Sequence, residues 1–270
     1  MIKSCRILRK KPMDYTTLAK SLVLEAGSEL LDAFYHAKIT STKKPDSSLA
    51  SQWDEKIEDM FTKKIRQHFP DHSVQGEERG ISKVSEEFVW YIDPLDGTTN
   101  FINGIPIFCS MLSLYVRGTP QVAAVYVPAV DKLYWSEAGK GTYINAKRVE
   151  PLHEVRLRDV TLQIELARTV EARNRGLQFL NQNINAFRSF RRFGTYAGFL
   201  LGLGNSIPTI AIHFQQDQNY EVATGAMLFK EAGYAVVDSD GNPWHIQSPK
   251  DFICVPPTLK NELMSLIRAS

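Results

Sequence analysis

The sequence predicts an α+β fold built of mixed layers of helix and sheet, on three observations. Two long amphipathic helical patterns come first, short strands divided by turn residues fill the middle, and strand and helix patterns alternate through the remainder. Asp14 to Ala37 reads as a helix: Leu18, Leu22, Leu24, Leu30, Leu31 and Phe34 form a broad apolar face, and Asp14 caps it. Residues 40–48 (TSTKKPDSS) read as a polar loop. A second helix is expected from Leu49 to Phe69, with Trp53, Ile57, Met60, Phe61 and Ile65 on one side and Pro70 as its stop.

Short strands are expected at Ser73–Gly76 and Phe88–Ile92. Met111–Val116, Gln121–Val127 and Lys132–Trp135 follow as strands separated by Arg-Gly-Thr-Pro and Pro-Ala-Val-Asp turns, an antiparallel meander. The later elements are a strand at Thr161–Leu166, a helix at Ala172–Ile184, a strand at Phe187–Phe193, a helix at Tyr196–Leu203 and a strand at Thr209–Phe214. A helix at Glu221–Glu231 is ended by Gly233 in the left-handed conformation, and strands at Ala235–Asp238 and Phe252–Val255 precede a helix at Leu259–Arg268. No internal repeat and no low-complexity linker is present.

The bulk properties exclude several function classes. The 270 residues suffice for one large domain or two tightly packed halves, and 43% hydrophobic content builds a core without being membrane-like. The longest nearly apolar run, Ile105 to Val116, falls short of the roughly 20 residues a spanning helix needs. No signal-peptide apolar region follows the N-terminus. Cys5, Cys109 and Cys254 are odd in number and far apart, which fits a reducing cytoplasm. Residues 1–13 carry Lys3, Arg6, Arg9, Lys10 and Lys11 and no acid, which reads as a solvated basic arm. Of 32 basic residues 27 remain beyond the arm against 30 acidic ones, so the body has a net charge of −3. It lacks the basic stripe that nucleic-acid binding requires.

Chemistry concentrates in Asp93-Pro94-Leu95-Asp96-Gly97-Thr98-Thr99-Asn100. Pro94 biases Asp93 to extended backbone, so Asp93 and Asp96 turn toward one point with the Leu95 carbonyl between them. Hard oxygen ligands of this kind select Mg²⁺ or a similar ion. Gly97 permits close backbone approach, and Thr98 and Thr99, opening a helical turn, would present N–H groups and hydroxyls to a phosphate. Two further acidic elements accompany it: Gly76-Glu77-Glu78 at the end of a strand, and Tyr220-Glu221 at the start of a helix. Each reads alone as a charged turn or a dipole-stabilising acid; three acidic element ends together are harder to dismiss. His68 and His72 offer no rival site because Pro70 breaks the helix between them, and Cys109, in an apolar strand, reads as core rather than nucleophile.

These residues resemble the inositol monophosphatase family. WYIDPLDGTTNF (Trp90–Phe101) with the upstream GEE (Gly76–Glu78) carries the resemblance, joined by Ala26–Leu30, the VAAVYVPAVDKLYWSEAGKG region, Gly194-Thr195 and Glu231–Gly233. The resemblance implies a layered αβαβα sandwich, with residues 14–150 forming a metal and phosphate half and residues 151–270 an α/β substrate half. It implies that Glu77, Asp93 and the Leu95 carbonyl hold a first Mg²⁺, and Asp93, Asp96 and Glu221 a second; two or three ions are expected, with Mn²⁺ able to substitute. Glu77 and Thr98 would hold the attacking water, Asp54 would buttress Thr98, and Asp96, Gly97, Thr98 and Thr99 would hold phosphate oxygens. Gly194, Thr195 and Tyr196 would face the substrate. The implied activity is hydrolysis of a small polyol or sugar phosphate monoester by metal-activated water, with inositol 1-phosphate the default, lithium sensitivity and a homodimer.

Three departures fall where the alcohol is read. Tyr220-Glu221 stands where the family has Trp-Asp, and resembles the same position in fructose-1,6-bisphosphatases. Phe214 stands where the inositol phosphatases carry a glutamate, followed by the polar run Gln215-Gln216-Asp217-Gln218. Tyr196 replaces a small residue, either narrowing the pocket or joining the core. They keep open a phosphatase for fructose bisphosphate, histidinol phosphate or a 3′-phosphonucleotide, and, with the basic arm, a non-catalytic interaction protein on the same scaffold.

Overall fold

The computed structural model describes residues 13–43, 49–166, 169–205, 207–214, 219–247 and 251–270, with the side chains of 43, 49 and 219–221 left aside. The basic arm and the 215–218 run fall outside the described residues. Helix α1 (Tyr15–His36) is capped by Asp14, whose carboxylate accepts from the Thr17 amide at 2.8 Å. Its buried face is Leu18, Leu22, Val23, Ala26 and Leu30; Leu24, read as part of that face, is 40% exposed. A ribbon of β1 (Ser41–Lys43) and β2 (Leu49–Ser51) leads into α2 (Gln52–His68). This helix starts three residues later than the sequence suggests. Ser51 takes the cap, and the Asp54 carboxylate returns to the Ser51 amide at 2.7 Å, so the residues before Ser51 are drawn into the ribbon.

The chain continues through β3 (Ser73–Gln75), β4 (Ile81–Ser82), β5 (Phe88–Asp96), the short helix α3 (Thr98–Ile102) and strands β6 (Cys109–Val116), β7 (Thr119–Val127), β8 (Lys132–Glu137), β9 (Gly141–Ile144) and β10 (Lys147–Arg148). These strands form an eight-stranded sheet, ordered β10-β9-β8-β7-β6-β5-β3-β4. Then come β11 (Thr161–Leu166), α4 (Val170–Asn183), β12 (Ser189–Arg191), α5 (Tyr196–Leu201), β13 (Thr209–Phe214), α6 (Asn219–Glu231), β14 (Ala235–Val237), β15 (Phe252–Val255) and α7 (Lys260–Ala269). A second, five-stranded sheet is ordered β12-β11-β13-β15-β14, with β12, β11 and β13 parallel. Gly233, at φ +88°, ends α6 as expected.

Three apolar layers bind these parts into an αβαβα sandwich. Leu22, Ala26, Ile57 and Phe61 of α1 and α2 pack on one face of the large sheet with Trp90, Ile92 and Leu112. Its other face packs through Met111, Val125 and Tyr134 on Phe199 of α5, Met227 and Phe229 of α6, and Phe252 and Cys254 of the small sheet. The far face of the small sheet is covered by Phe179 of α4 and Leu263 and Ile267 of α7. No helix among the described residues is long and apolar enough to cross a membrane.

Strand β5 runs four residues beyond its expected end because a bulge carries it on. Asp93 pairs with Met111 and Asp96 with Cys109, so three steps on β5 oppose two on β6. Side chains three apart on a regular strand point to opposite faces; the extra residue reverses that parity. Pro94 sits within the bulge, where its missing N–H breaks no ladder bond. The bulge is therefore what lets both carboxylates line one cavity.

Candidate active site

A cavity of about 560 Å³ opens between the C-terminal end of β5 and the ends of the parallel strands of the small sheet. Glu77, Asp93, Leu95, Asp96, Gly97, Thr98 and Thr99 line one side, and Gly194, Thr195 and Tyr196 the other. All the expected site residues thus meet at one cavity except Asp54, which stands behind Thr98, and Glu221, which lies in the first turn of α6 with its side chain outside the described residues.

Asp54 is completely buried and joins two jobs. Its Oδ2 accepts from the Ser51 amide and hydroxyl at 2.7 and 2.6 Å, closing the capping box. Its Oδ1 lies 2.9 Å from the Thr98 hydroxyl, which is also 2.9 Å from the Leu95 carbonyl. Both acceptors call on the single hydroxyl proton, leaving the Thr98 lone pairs to accept from a ligand. Burial pushes the Asp54 carboxyl up, against the hydrogen bonds from Ser51 and Thr98 and with a further push from the Glu77 charge.

Glu77 is placed by a neighbour that sequence reasoning missed. Glu58, on the buried face of α2, accepts from the Glu78 and Arg79 amides at 2.8 and 2.9 Å. The turn after β3 is thereby pinned on a carboxylate that burial holds above its usual range. Gly76 is required here: a Cβ on it would stand 2.4 Å from Glu58 Oε1. The glycine of Gly76-Glu77-Glu78 is the signal, because a glycine just before a strand-end acid marks a close approach.

Asp96 ties the two sheets together. Its Oδ2 accepts from the Thr195 hydroxyl, from the Ala197 amide at 3.1 Å and from the Cys109 thiol at 3.3 Å. Burial pushes its carboxyl up to about 6, opposed by those three donors and reinforced by the Glu77 charge. Burial likewise pushes the Cys109 thiol up, so Cys109 is a buried donor and no nucleophile, as expected. Thr195 also caps α5, and Asn100 joins the Ile107 and Phe193 carbonyls, both at 2.8 Å. Gly97 adopts φ +89°, a conformation natural to glycine, and a Cβ there would meet the Ile107 carbonyl and Thr195 at 3.0 and 3.1 Å.

The remaining wall differs from the sequence expectation. Phe214 does not line the cavity; it is buried on the outer side of the small sheet, 5.6 Å from the Phe179 ring. The wall instead carries Glu165, Arg173, Arg192 and His213, none of which the sequence singled out. Glu165 accepts from the Phe193 and Gly194 amides at 3.1 and 2.6 Å, and Arg192 Nε lies 3.4 Å from its other oxygen. Burial raises the Glu165 carboxyl, with Arg192 pulling the other way. Tyr196 is both cavity wall and core: it is 5% exposed, and its hydroxyl is hydrogen-bonded to His213 Nδ1. Burial brings His213 down to about 4, aided by the Arg192 charge. The signal for this wall was available, since ligands of α/β sheets bind beyond the carboxyl ends of parallel strands.

The donor set fits a hard divalent cation. Three carboxylates and a main-chain carbonyl share one end of the cavity, and Glu77 and Asp96 repel one another there. Oxygen donors of this kind suit Mg²⁺, which is typically held by one or two carboxylates with water and substrate oxygens completing its shell.

Residues 12–270 match the inositol monophosphatase family. The chain belongs to that family. Its members are phosphoric monoester hydrolases, and so is this chain, acting on inositol phosphate or related substrates. The chain is 32% identical over 227 residues to a fructose-1,6-bisphosphatase/inositol-1-monophosphatase of Aquifex aeolicus, covering 81% of this chain and 83% of that protein. The crystal structure of the extragenic suppressor protein suhB from Bartonella henselae superimposes with a TM-score of 0.84 at 25% identity, over 92% of this chain and 96% of that one. A structure described as an IMPase/NADP phosphatase complexed with Mg²⁺ and phosphate shares the fold, with a TM-score of 0.78 at 18% identity over 92% of each chain.

Proposed function

We propose that this protein catalyses the Mg²⁺-dependent hydrolysis of a small polyol or sugar phosphate monoester, with inositol 1-phosphate as the reference substrate. The observation that carries the reading is the Thr98 hydroxyl, held 2.9 Å from buried Asp54 and opening on the cavity that Glu77 and Asp96 share. Thr98, its proton directed to Asp54 and Leu95, would accept one hydrogen of a water, and Glu77 the other. That water would give a proton to Glu77 and attack phosphorus while the bond to the alcohol oxygen breaks, and that proton would return through solvent water to the leaving oxygen, giving the free alcohol and phosphate. Amides and hydroxyls of Gly97, Thr98 and Thr99 at the opening of α3 would hold the phosphate oxygens. Glu77, Asp93, Asp96, the Leu95 carbonyl and Glu221 would hold two or three Mg²⁺ ions, or Mn²⁺ in their place. The ions would supply positive charge to the phosphate oxygens and the leaving alcohol. Gly194, Thr195 and Tyr196 would form part of the substrate wall, so residues 14–150 would serve metal and phosphate and residues 151–270 the alcohol. A cytoplasmic homodimer inhibited by lithium belongs to the same reading, on the family resemblance.

The test is phosphate release by the purified chain with Mg²⁺ from inositol 1-phosphate, fructose 1,6-bisphosphate, histidinol phosphate and a 3′-phosphonucleotide, beside a Thr98→Ala variant. Turnover of at least one substrate is expected, lowered about 100-fold or more by the variant. No release from any of these substrates with either Mg²⁺ or Mn²⁺ would overturn the proposed substrate class and metal dependence.

A further inference from the structure

Helix α6, whose first turn carries Glu221, is fastened to the large sheet by hydroxyl contacts set in a largely apolar layer. We propose that Tyr115 is a positioning residue: its hydroxyl fixes the start of α6 on strand β6, and with it the place from which Glu221 reaches a metal ion. This rests on the proposed function, in which Glu221 holds one of the ions. Tyr115 acts through the helix alone and is not itself among the residues that line the cavity.

The Tyr115 hydroxyl donates to the Ala223 carbonyl at 2.8 Å, and the Thr224 hydroxyl donates to that of Ser113 at 3.1 Å. All four residues are buried. Burial pushes the Tyr115 phenol up, with Tyr91 pushing the same way, so the donor keeps its proton. Ala223 follows Glu221 by two residues, within one helical turn. On the sheet side, Ser113 of β6 pairs with Tyr91 of β5, and Met111 pairs with Asp93. Ser113 therefore stands one two-residue step from the level of Asp93. The two contacts tie the turn that carries Glu221 to the strand pair that carries Asp93.

The apolar part of this layer cannot fix the helix in the same way. Met227 and Phe229 pack on Met111, Val125 and Tyr134 of the sheet, and such contact is non-directional, so it resists separation more than sliding. A hydrogen bond restricts both distance and angle. Farther along α6, Thr142 of β9 donates to the Leu228 carbonyl at 2.6 Å, and Glu231 accepts from the Gly139 and Gly141 amides at 3.1 and 3.0 Å. Those contacts hold the far end of the helix, so loss of the Tyr115 bond loosens its first turn. Leu228 lies seven residues beyond Glu221, about 10 Å along the axis at 1.5 Å per residue. Thr142 is thus a matched reference: a buried hydroxyl bonded to a carbonyl of the same helix, away from the site.

The experiment measures Mg²⁺ binding to the full metal-free chain by calorimetry, for the parent, Tyr115→Phe, Thr142→Val, Glu221→Gln and the double variant Tyr115→Phe with Glu221→Gln. Tyr115→Phe and Thr142→Val each lose one buried hydrogen bond, and Tm is expected to fall by about 2–4 °C in both. Only Tyr115→Phe is expected to weaken Mg²⁺ binding as well, by about fivefold, the worth of one such bond. Glu221→Gln removes the group through which Tyr115 acts, so adding Tyr115→Phe to it should change the remaining Mg²⁺ binding by less than about twofold. Unchanged Mg²⁺ binding in Tyr115→Phe, equal weakening in Thr142→Val, or the full loss persisting in the double variant would overturn the positioning role and leave the proposed function intact. Mg²⁺ binding that Glu221→Gln leaves unchanged would take Glu221 out of the metal site, and this inference would fall with it.

Discussion

Replacing Gly76 with alanine tests how Glu77 is placed. The backbone at Gly76 lies outside the left-handed region, so alanine is acceptable in conformation and only space is at issue. The new Cβ would stand 2.4, 2.5 and 2.7 Å from Oε1, Cδ and Oε2 of Glu58, where ordinary contact begins at 3.4 Å. The carboxylate must therefore retreat by nearly 1 Å. It is 1% exposed, and it accepts the Glu78 and Arg79 amides at 2.8 and 2.9 Å, so retreat stretches both bonds at once. Hydrogen bonds to a charged group contribute roughly 1.5–3 kcal/mol each. Partial relaxation leaves an expected loss of about 2–4 kcal/mol in urea unfolding, with weaker Mg²⁺ binding in calorimetry because Glu77 lies inside the loosened turn. Glu58→Ala empties the space that the Cβ needs. Adding Gly76→Ala to that background should then cost under about 1 kcal/mol, a non-additivity expected only of residues in contact. Additive costs in the double variant would refute the packing argument, and a fully stable single variant with unchanged metal binding would refute the positioning role of Glu58.

Three further outcomes are expected. Ser51→Ala and Asp54→Ala both remove the cap of α2, at about 1–2 kcal/mol, but only Asp54→Ala should also lower kcat, by about 100-fold; equal kcat for the two would deny Asp54 a role beyond the cap. Asp96, with its carboxyl raised to about 6, is ionised above that pH and takes a proton below it, so apparent Mg²⁺ affinity should be flat above pH 7 and fall about tenfold per unit below 6. Calorimetry in buffers of different ionisation heat should show proton release growing as the pH is lowered through that range, and its absence would contradict the raised carboxyl. His213 is lowered to about 4 from an ordinary 6.5, so the native state keeps it neutral while the unfolded chain takes up a proton. Its contribution is complete above pH 6.5 and is lost as the pH falls toward 4, on the order of 3 kcal/mol. Asp96 acts in the opposite sense over nearly the same range, so the comparison is with His213→Gln, whose unfolding free energy should fall less steeply between pH 6.5 and 4.

The two walls of the cavity differed in legibility for a physical reason. The phosphate and metal wall is encoded in one contiguous stretch, because a bulge, a left-handed glycine and a helical turn follow one another from Asp93 to Ile102. Local backbone chemistry alone brings Asp93, Asp96, Thr98 and Thr99 to one place, and local chemistry can be read from neighbours in sequence. The opposite wall is encoded by register between strands. Glu165 pairs with His213 and Leu166 with Phe214 in the parallel ladder of β11 and β13. Glu165 and His213 line the cavity, whereas Phe214, one residue on, packs into the outer layer against Phe179. The family resemblance directed attention to Phe214, and a strand's two-residue period makes a displacement of one position decisive. At this wall the side chain that faces the cavity is the imidazole of His213, backed by Tyr196, while the aromatic ring of Phe214 belongs to the core. The apparent loss of a glutamate at Phe214 therefore does not leave the wall without an acid: Glu165 supplies a carboxylate from the adjacent strand, and Arg192 holds its charge in check.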